Sequence, residues 1–240
     1  MKNLLTMAFL LVATASVWAQ TTTVSDNNAK VREVGNFSGV KVSAGIELLL
    51  QQGDKDAVAV SCNRPEYLDR IKTTVEGNVL KISIDNNYGG DWKWRKNVKF
   101  KAYVSIRQLE KLSASSGSIV RTGAAINVNS LDMDVSSGAV VDAEFKGQSI
   151  KVDNSSGAVT TLKGSVESLD VDASSGAVFK GFEMSSANCS ADASSGGTIS
   201  ITVTKELNAD ASSGGEIKYR GGGVIRKLHT GSGGSVRSNS

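Results

Sequence analysis

The octapeptide VDASSGAV, Val171 to Val178, has near-copies elsewhere in the chain: MDVSSGAV, VDNSSGAV, ADASSGGT and ADASSGGE. The glycines that close the motif are Gly117, Gly138, Gly157, Gly176, Gly196 and Gly214, with Gly233 in a degenerate TGSGGS. The steps between them are 21, 19, 19, 20, 18 and 19 residues. A fixed period of this size marks a solenoid, in which each repeat buries its apolar side chains only by stacking on its neighbours.

Aligning the repeats on the motif glycine shows what kind of solenoid. Five residues before it stand Leu112, Met133, Val152, Val171, Ala191, Ala209 and Leu228. Seven before it stand Leu131, Ile150, Leu169, Cys189 and Leu207, and three after it Val120, Val141, Thr160, Phe179, Ile199, Ile217 and Val236. Polar residues such as Lys151, Asp153, Asp170, Asp172 and Lys180 fall between these columns. That alternation has period two, so the repeat is made of strands with one buried face. One short coil of strands per repeat predicts a parallel β-helix whose rungs hydrogen-bond at roughly 4.8 Å spacing. In such a stack Ser-Ser-Gly is a corner. The glycine is expected to supply the positive φ, with Ser116, Ser137, Ser156, Ser175, Ser195 and Ser213 pointing inward as a ladder. Small residues after the glycine (Ala139, Ala158, Ala177, Gly197, Gly215) suit a tight bend.

The same triplet also looks like a nucleophile loop. A serine nucleophile needs an adjacent base and a group that orients it. The chain holds one histidine, His229, in the most degenerate repeat, and it cannot serve six serines.

The first residues, MKNLLTMAFLLVATASVWAQ, read as a secretory signal over residues 1–19. Lys2 opens it, Leu4 to Val17 forms the apolar run, and Val17-x-Ala19 ends it in a small-residue cleavage site. The expected mature chain starts at Gln20, with a flexible stretch over 20–30 and no integral membrane segment after cleavage. It is exported: periplasmic, on the cell surface, or secreted. A net charge of +3 gives no pull toward nucleic acid. Cys62 and Cys189 are too few and too far apart for a disulfide scaffold, and Cys189 stands in a core column, which suits a buried free thiol.

Residues 31–112 lack the repeat but keep the strand signal. GVKVSAGIELLLQQG, AVAVSC, IKTTVEGNVLKISID and NVKFKAYVSI read as strands with turns at Gly53-Asp54 and Gly77-Asn78. RPEYLDR, Arg64 to Arg70, reads as a short helical turn. This segment is an N-terminal β cap or irregular β-helical stretch, followed by regular β-helix over 113–236 and a frayed tail over 237–240.

FSGVKVSAGIELLLQQG and EGNVLKISI, followed by an array of SSGAV-type rungs, resemble the autotransporter-adhesin head family. These are the head GIN domain proteins (domain of unknown function 2807), exported proteins of the Bacteroidetes type. The family's Gly-Ile-Asn falls at Gly45-Ile46-Glu47, so its third position departs. The resemblance spans about Val31 to Val236. It implies an all-β, right-handed, single-stranded parallel β-helix and an extracytoplasmic site of action, and it carries no catalytic residues across.

Two surface features are candidate sites. Asp134, Asp153, Asp172, Asp192 and Asp210 form an outward column four residues before each corner glycine, with Ser113 before it and His229 after. Such a row reads either as a Ca²⁺ ladder or as solvated carboxylates that oppose edge-to-edge association. NNYGGDWKWRKN, Asn86 to Asn97, gathers Tyr88, Trp92, Trp94 and Arg95 in a chain only 5% aromatic. It reads as a binding platform for a sugar or a protein, or as a lid on the cap. Three classes follow. The first is a non-enzymatic adhesin-like binding protein of the cell envelope, recognising a glycan or protein surface. The second is a self-assembling envelope scaffold, with homo-oligomers. The third is a polysaccharide-active enzyme, supported by fold analogy alone. No cofactor beyond possible Ca²⁺ is expected.

Overall fold

The computed structural model describes residue 26, residues 28–85 and residues 97–239. In chain order the strands are β1 (Lys30–Arg32), β2 (Gly39–Val42), β3 (Glu47–Gln52), β4 (Ala57–Cys62), β5 (Ile71–Glu76), β6 (Val79–Ile84), β7 (Phe100–Ile106), β8 (Lys111–Ala114) and β9 (Ile119–Thr122). They continue with β10 (Ile126–Val135), β11 (Val140–Asn154), β12 (Val159–Ala173), β13 (Val178–Ala193), β14 (Thr198–Ala211), β15 (Glu216–Arg220), β16 (Val224–Thr230) and β17 (Ser235–Ser238). A 3₁₀ turn, Pro65–Arg70, starts on the chain's single proline, which presets the φ that a helical first turn requires.

From β8 onward the molecule is a parallel β-helix, and its register follows the sequence columns on both sides of each corner, with shifts farther out where successive rungs differ in length. Met133 lies opposite Leu112 and Val152, Val171 opposite Val152 and Ala191, and Leu228 opposite Ala209. Val141, Thr160, Phe179, Ile199, Ile217 and Val236 likewise pair in order. Phe145 and Phe179 are the fully buried aromatic side chains of its core. One inward column carries Ala114, Val135, Asn154, Ala173, Ala193 and Ala211, so a single amide sits among apolar neighbours. Asn154 accepts a hydrogen bond from Thr160 Oγ1 at 3.3 Å, while its Nδ2 has no partner.

The β-helix does not begin where the repeat begins. β2 and β3 form a rung that lies on β8 and β9, although GVKVSAGIELLLQQG reads in sequence as one unbroken strand. Ala44 and Gly45 break it, with φ of 63° and 73°. On the other side, β2 and β3 pair in parallel with β6 and β7, which form the rung before. The chain order is therefore permuted. The rung of residues 39–52 is sandwiched between one made of 79–106 and one starting at 111, with the excursion through β4 and β5 between. That excursion closes the end of the stack, since β5 pairs antiparallel with β6, β4 with β7, and β1 with β4. Leu68 of the 3₁₀ turn is buried against the first-rung core.

Candidate binding surfaces

At each corner the second serine and the glycine both have positive φ, 46–52° for Ser116, Ser137, Ser156, Ser175, Ser195, Ser213 and Ser232 and 69–79° for the glycines that follow. The N–H two residues after the second serine donates back to the first serine's carbonyl, as from Ala139 to Ser136 at 3.1 Å. Two left-handed residues closed this way make a type I′ turn, whose twist suits the strands it joins. Such a turn points the second serine away from the core. These serines are exposed, and the expected inward ladder is corrected: the left-handed backbone interrupts the alternation that would have turned them in. What climbs the stack is backbone. Gly117 N–H donates to the carbonyl of Ser137, Gly138 to Ser156, Gly157 to Ser175, Gly176 to Ser195 and Gly196 to Ser213, each at 3.1 Å. Gly45 N–H donates to the Ser116 carbonyl at 3.0 Å, so the Gly-Ile-Glu site is a corner of the same ridge.

The Asp column runs along the strand face just before that ridge. Asp134, Asp153, Asp172, Asp192 and Asp210 pair in register, and His229 follows Asp210. Partial burial, then the neighbouring Asp153 and Asp170, hold the Asp172 carboxyl above the usual range. Burial, then Asp210, Asp172 and Asp170, do the same for Asp192. Among the described residues no three His, Cys, Asp or Glu side chains converge as metal ligands do. Cys62 and Cys189 are both buried free thiols, and burial pushes Cys189 up to about 12.

Tyr88, Trp92, Trp94 and Arg95 lie outside the described residues, but the register on either side fixes where their segment joins the stack. Between the strands paired at Val42 and Glu47, the corner rung uses the four residues 43–46. Between their partners Ile82 and Lys101 the neighbouring rung uses the eighteen residues 83–100. The stretch that contains these residues is thus fourteen residues longer than its counterpart between the same paired strands, and it belongs to the rung next to the cap. Both of its feet are tied down. Asp85 N–H donates to the Arg70 carbonyl at 2.8 Å, and the Asp85 carboxylate meets Lys72 at 2.6 Å. The Asn63 amide donates to the Asn97 carbonyl at 2.9 Å, and its oxygen accepts from Lys99 N–H at 2.7 Å.

Beside the second foot lies a polar crevice of about 470 Å³, lined by Asp26, Asn28, Ser61, Asn63, Lys99, Lys101 and Tyr103. Tyr103 Oη donates to Asp26 Oδ2 at 2.7 Å. The Tyr103 hydroxyl donates, so it lowers the Asp26 carboxyl, while burial and that carboxylate push Tyr103 itself up to about 12. Sequence reading missed this crevice. Its members come from two strands, β4 and β7, with the residues that flank them and the N-terminal segment, and only the outward positions of NVKFKAYVSI (Lys99, Lys101, Tyr103) hinted at it.

The family described as putative auto-transporter adhesin, head GIN domain, matches residues 36–223. The chain belongs to this family. Its fold is similar to a solved putative adhesin from Bacteroides fragilis, at 18% identity and a TM-score of 0.77, covering 88% of this chain and 95% of that one. A putative adhesin from Parabacteroides distasonis is similar at 19% identity and a TM-score of 0.70, over 88% and 95% of the two chains. A protein from the same organism described as a putative lipid binding protein has 19% identity and a TM-score of 0.65, over 90% and 98%. A comparison with curated proteins finds no match. The head GIN family and these neighbours are described as adhesins or binding proteins rather than enzymes, and an adhesin-type family is one of exported or envelope proteins. No helix among the described residues is long and apolar enough to cross a membrane.

Proposed function

We propose that this head GIN protein is a non-enzymatic, exported, adhesin-like binding protein of the cell envelope. It recognises a glycan or protein surface through Tyr88, Trp92, Trp94 and Arg95. One observation carries the reading: a single corner is expanded from four residues to eighteen, and the expansion holds both tryptophans of the mature chain. Tryptophan and tyrosine give large contact area at low entropic cost, and an adjacent arginine adds directed hydrogen bonds. The tied feet and the polar crevice of Lys99, Lys101 and Asn63 support the same surface. The serine ridge offers no rival catalytic reading, because the exposed hydroxyls repeat in every rung from β8 onward and the one histidine stands in the last.

The test is an array of glycans and extracellular-matrix proteins probed with the chain from Gln20 to Ser240, in calcium and in chelator. A hit lost in the Trp92→Ala/Trp94→Ala double variant, with the melting temperature unchanged, is expected. A hit that survives that variant but disappears in chelator transfers the site to the Asp column. A blank array removes the adhesin reading in favour of a scaffold.

A further inference from the structure

The two ends of this stack are finished differently. The first is covered by antiparallel strands and by Leu68. At the other, β16 pairs with β14 and β17 with β15, and among the described residues no strand pairs with their outer edges. Core columns run out into this rung uncovered. Ile225 continues the column of Leu131, Ile150, Leu169, Cys189 and Leu207, yet it is 36% exposed, and Leu228, continuing that of Val171, Ala191 and Ala209, is 52% exposed. Val224 beside them is 57% exposed.

Charge says what fits there. From Ile217 to Ser240 the sequence carries Lys218, Arg220, Arg226, Lys227, Arg237 and His229 and no Asp or Glu. Arg226 and Lys218 are satisfied by Glu206 and Glu216. Lys227, which lies within electrostatic reach of Asp192, and Arg237, whose Nε donates to Ser235 Oγ at 2.8 Å, close no salt bridge among the described residues. Two copies meeting end to end would set these cations against their own images, and cations on an edge strand discourage that pairing. Against an acidic strand the same cations attract. An apolar rim, an open ladder of backbone groups and positive charge outside any salt bridge are together what an added strand requires, and a lipid surface would leave those backbone groups without partners.

We propose that the outer edge of β16 and β17 is a docking site for an acidic extended segment of a partner protein, which adds as a further strand. Its apolar side chains cover Ile225 and Leu228, and its carboxylates meet Lys227 and Arg237. This site is at the opposite end of the stack from the aromatic insertion, so either reading can fail without the other.

The experiment mixes the chain from Gln20 to Ser240 with a synthetic nonapeptide alternating Val and Glu, with its Val/Lys counterpart, and with phosphatidylglycerol-containing vesicles. Amide exchange and calorimetry are the readouts. The Val/Glu peptide is expected to slow exchange in Val224–Thr230 and Ser235–Ser238, with affinity falling about tenfold in Lys227→Glu and again in Leu228→Glu. Leu228 is exposed, so that variant keeps the fold, which its circular dichroism checks. Equal protection by both peptides, or by neither, overturns the proposal. Protection by vesicles alone replaces it with a membrane contact, and a peptide-independent dimer lost in Leu228→Glu replaces it with self-association.

Discussion

The N-terminal and C-terminal parts of this β-helix solve one packing problem with different kinds of sequence. Over 111–239 each rung follows the last in the chain, so equal rung length and a repeated corner are enough to bring every inward side chain over its predecessor. Over 39–106 the rungs are real but out of order, and among the described residues the corner that joins the ridge is Ala44-Gly45 rather than Ser-Gly. A repeat in sequence is therefore sufficient for a rung but not necessary. What the rungs share is an inward apolar column, and each described corner on the ridge has a left-handed pair at the bend. The permuted part supplies those with long-range pairings and gains an end that is closed.

The sharpest way to break that comparison is to remove the same side chain at each end. Leu68→Ala takes a residue that is 3% exposed out of the cap. It should cost about 3 kcal/mol, the transfer and cavity cost of a buried leucine. Leu228→Ala, at the open end, should cost less than about 0.5 kcal/mol. Urea denaturation of both variants decides it. Equal losses would mean that the last rung is covered in solution.

How much of this was legible follows from the same contrast. The columns through Leu131, Met133 and Val141 were readable because register and chain order coincide. The pairing of β2 with β6 and β8 was not, since local alternation gives a strand and its buried face but not its neighbours, which here lie 40 and 72 residues further on. The serine direction was misread at the corners because period-two counting fails across two left-handed residues. Of the candidate sites, the Asp column was visible as spacing. That the stretch holding Trp92 and Trp94 replaces a four-residue connection needed the register of β2, β3, β6 and β7, and the crevice at Asp26 and Tyr103 needed the tertiary fold.

Even within the regular part the repeats are less alike than they look. Ala177 is buried after its corner glycine, while a Cβ at the equivalent Gly197 would lie 2.1 Å from the Ala173 carbonyl oxygen. Gly196, one residue earlier, has open space around it and only its φ of 75° to lose. Gly197→Ala should therefore cost about 2 kcal/mol by overpacking against backbone, and Gly196→Ala about 1 kcal/mol by strain alone. If thermal melts reverse that order, the last corners are not as tight as drawn. The same logic runs upward at Asn154, whose column otherwise holds alanine and valine. Asn154→Val with Thr160→Val copies Val135 and Val141 of the preceding rung. It should stabilise by about 1 kcal/mol, because a buried amide with an unpaired N–H is replaced by a side chain that needs no partner.

A further small effect belongs to the Asp column, and its sign is set by pH. Burial and like-charged neighbours raise the folded-state carboxyls of Asp172 and Asp192, so the folded protein holds those protons more tightly than the unfolded chain does. Their contribution to stability is then a deficit above the folded pKa, and it disappears as pH falls below the unfolded value of about 3.9. Asp56 runs the other way. Burial works against its charge, but Arg107, paired to it at 2.9 Å, holds the carboxyl below the usual range, so its contribution is lost as pH falls. Asp192→Asn should accordingly stabilise the protein at pH 7 by about 0.5–1 kcal/mol, the screened repulsion of stacked carboxylates. The gain should shrink in 1 M salt and close near pH 3.5, while wild type and variant both weaken as Asp56 protonates. A variant less stable than wild type at pH 7 would mean that the column is neutralised by something bound along it. Repeating the melt in chelator would then show whether that something is a cation.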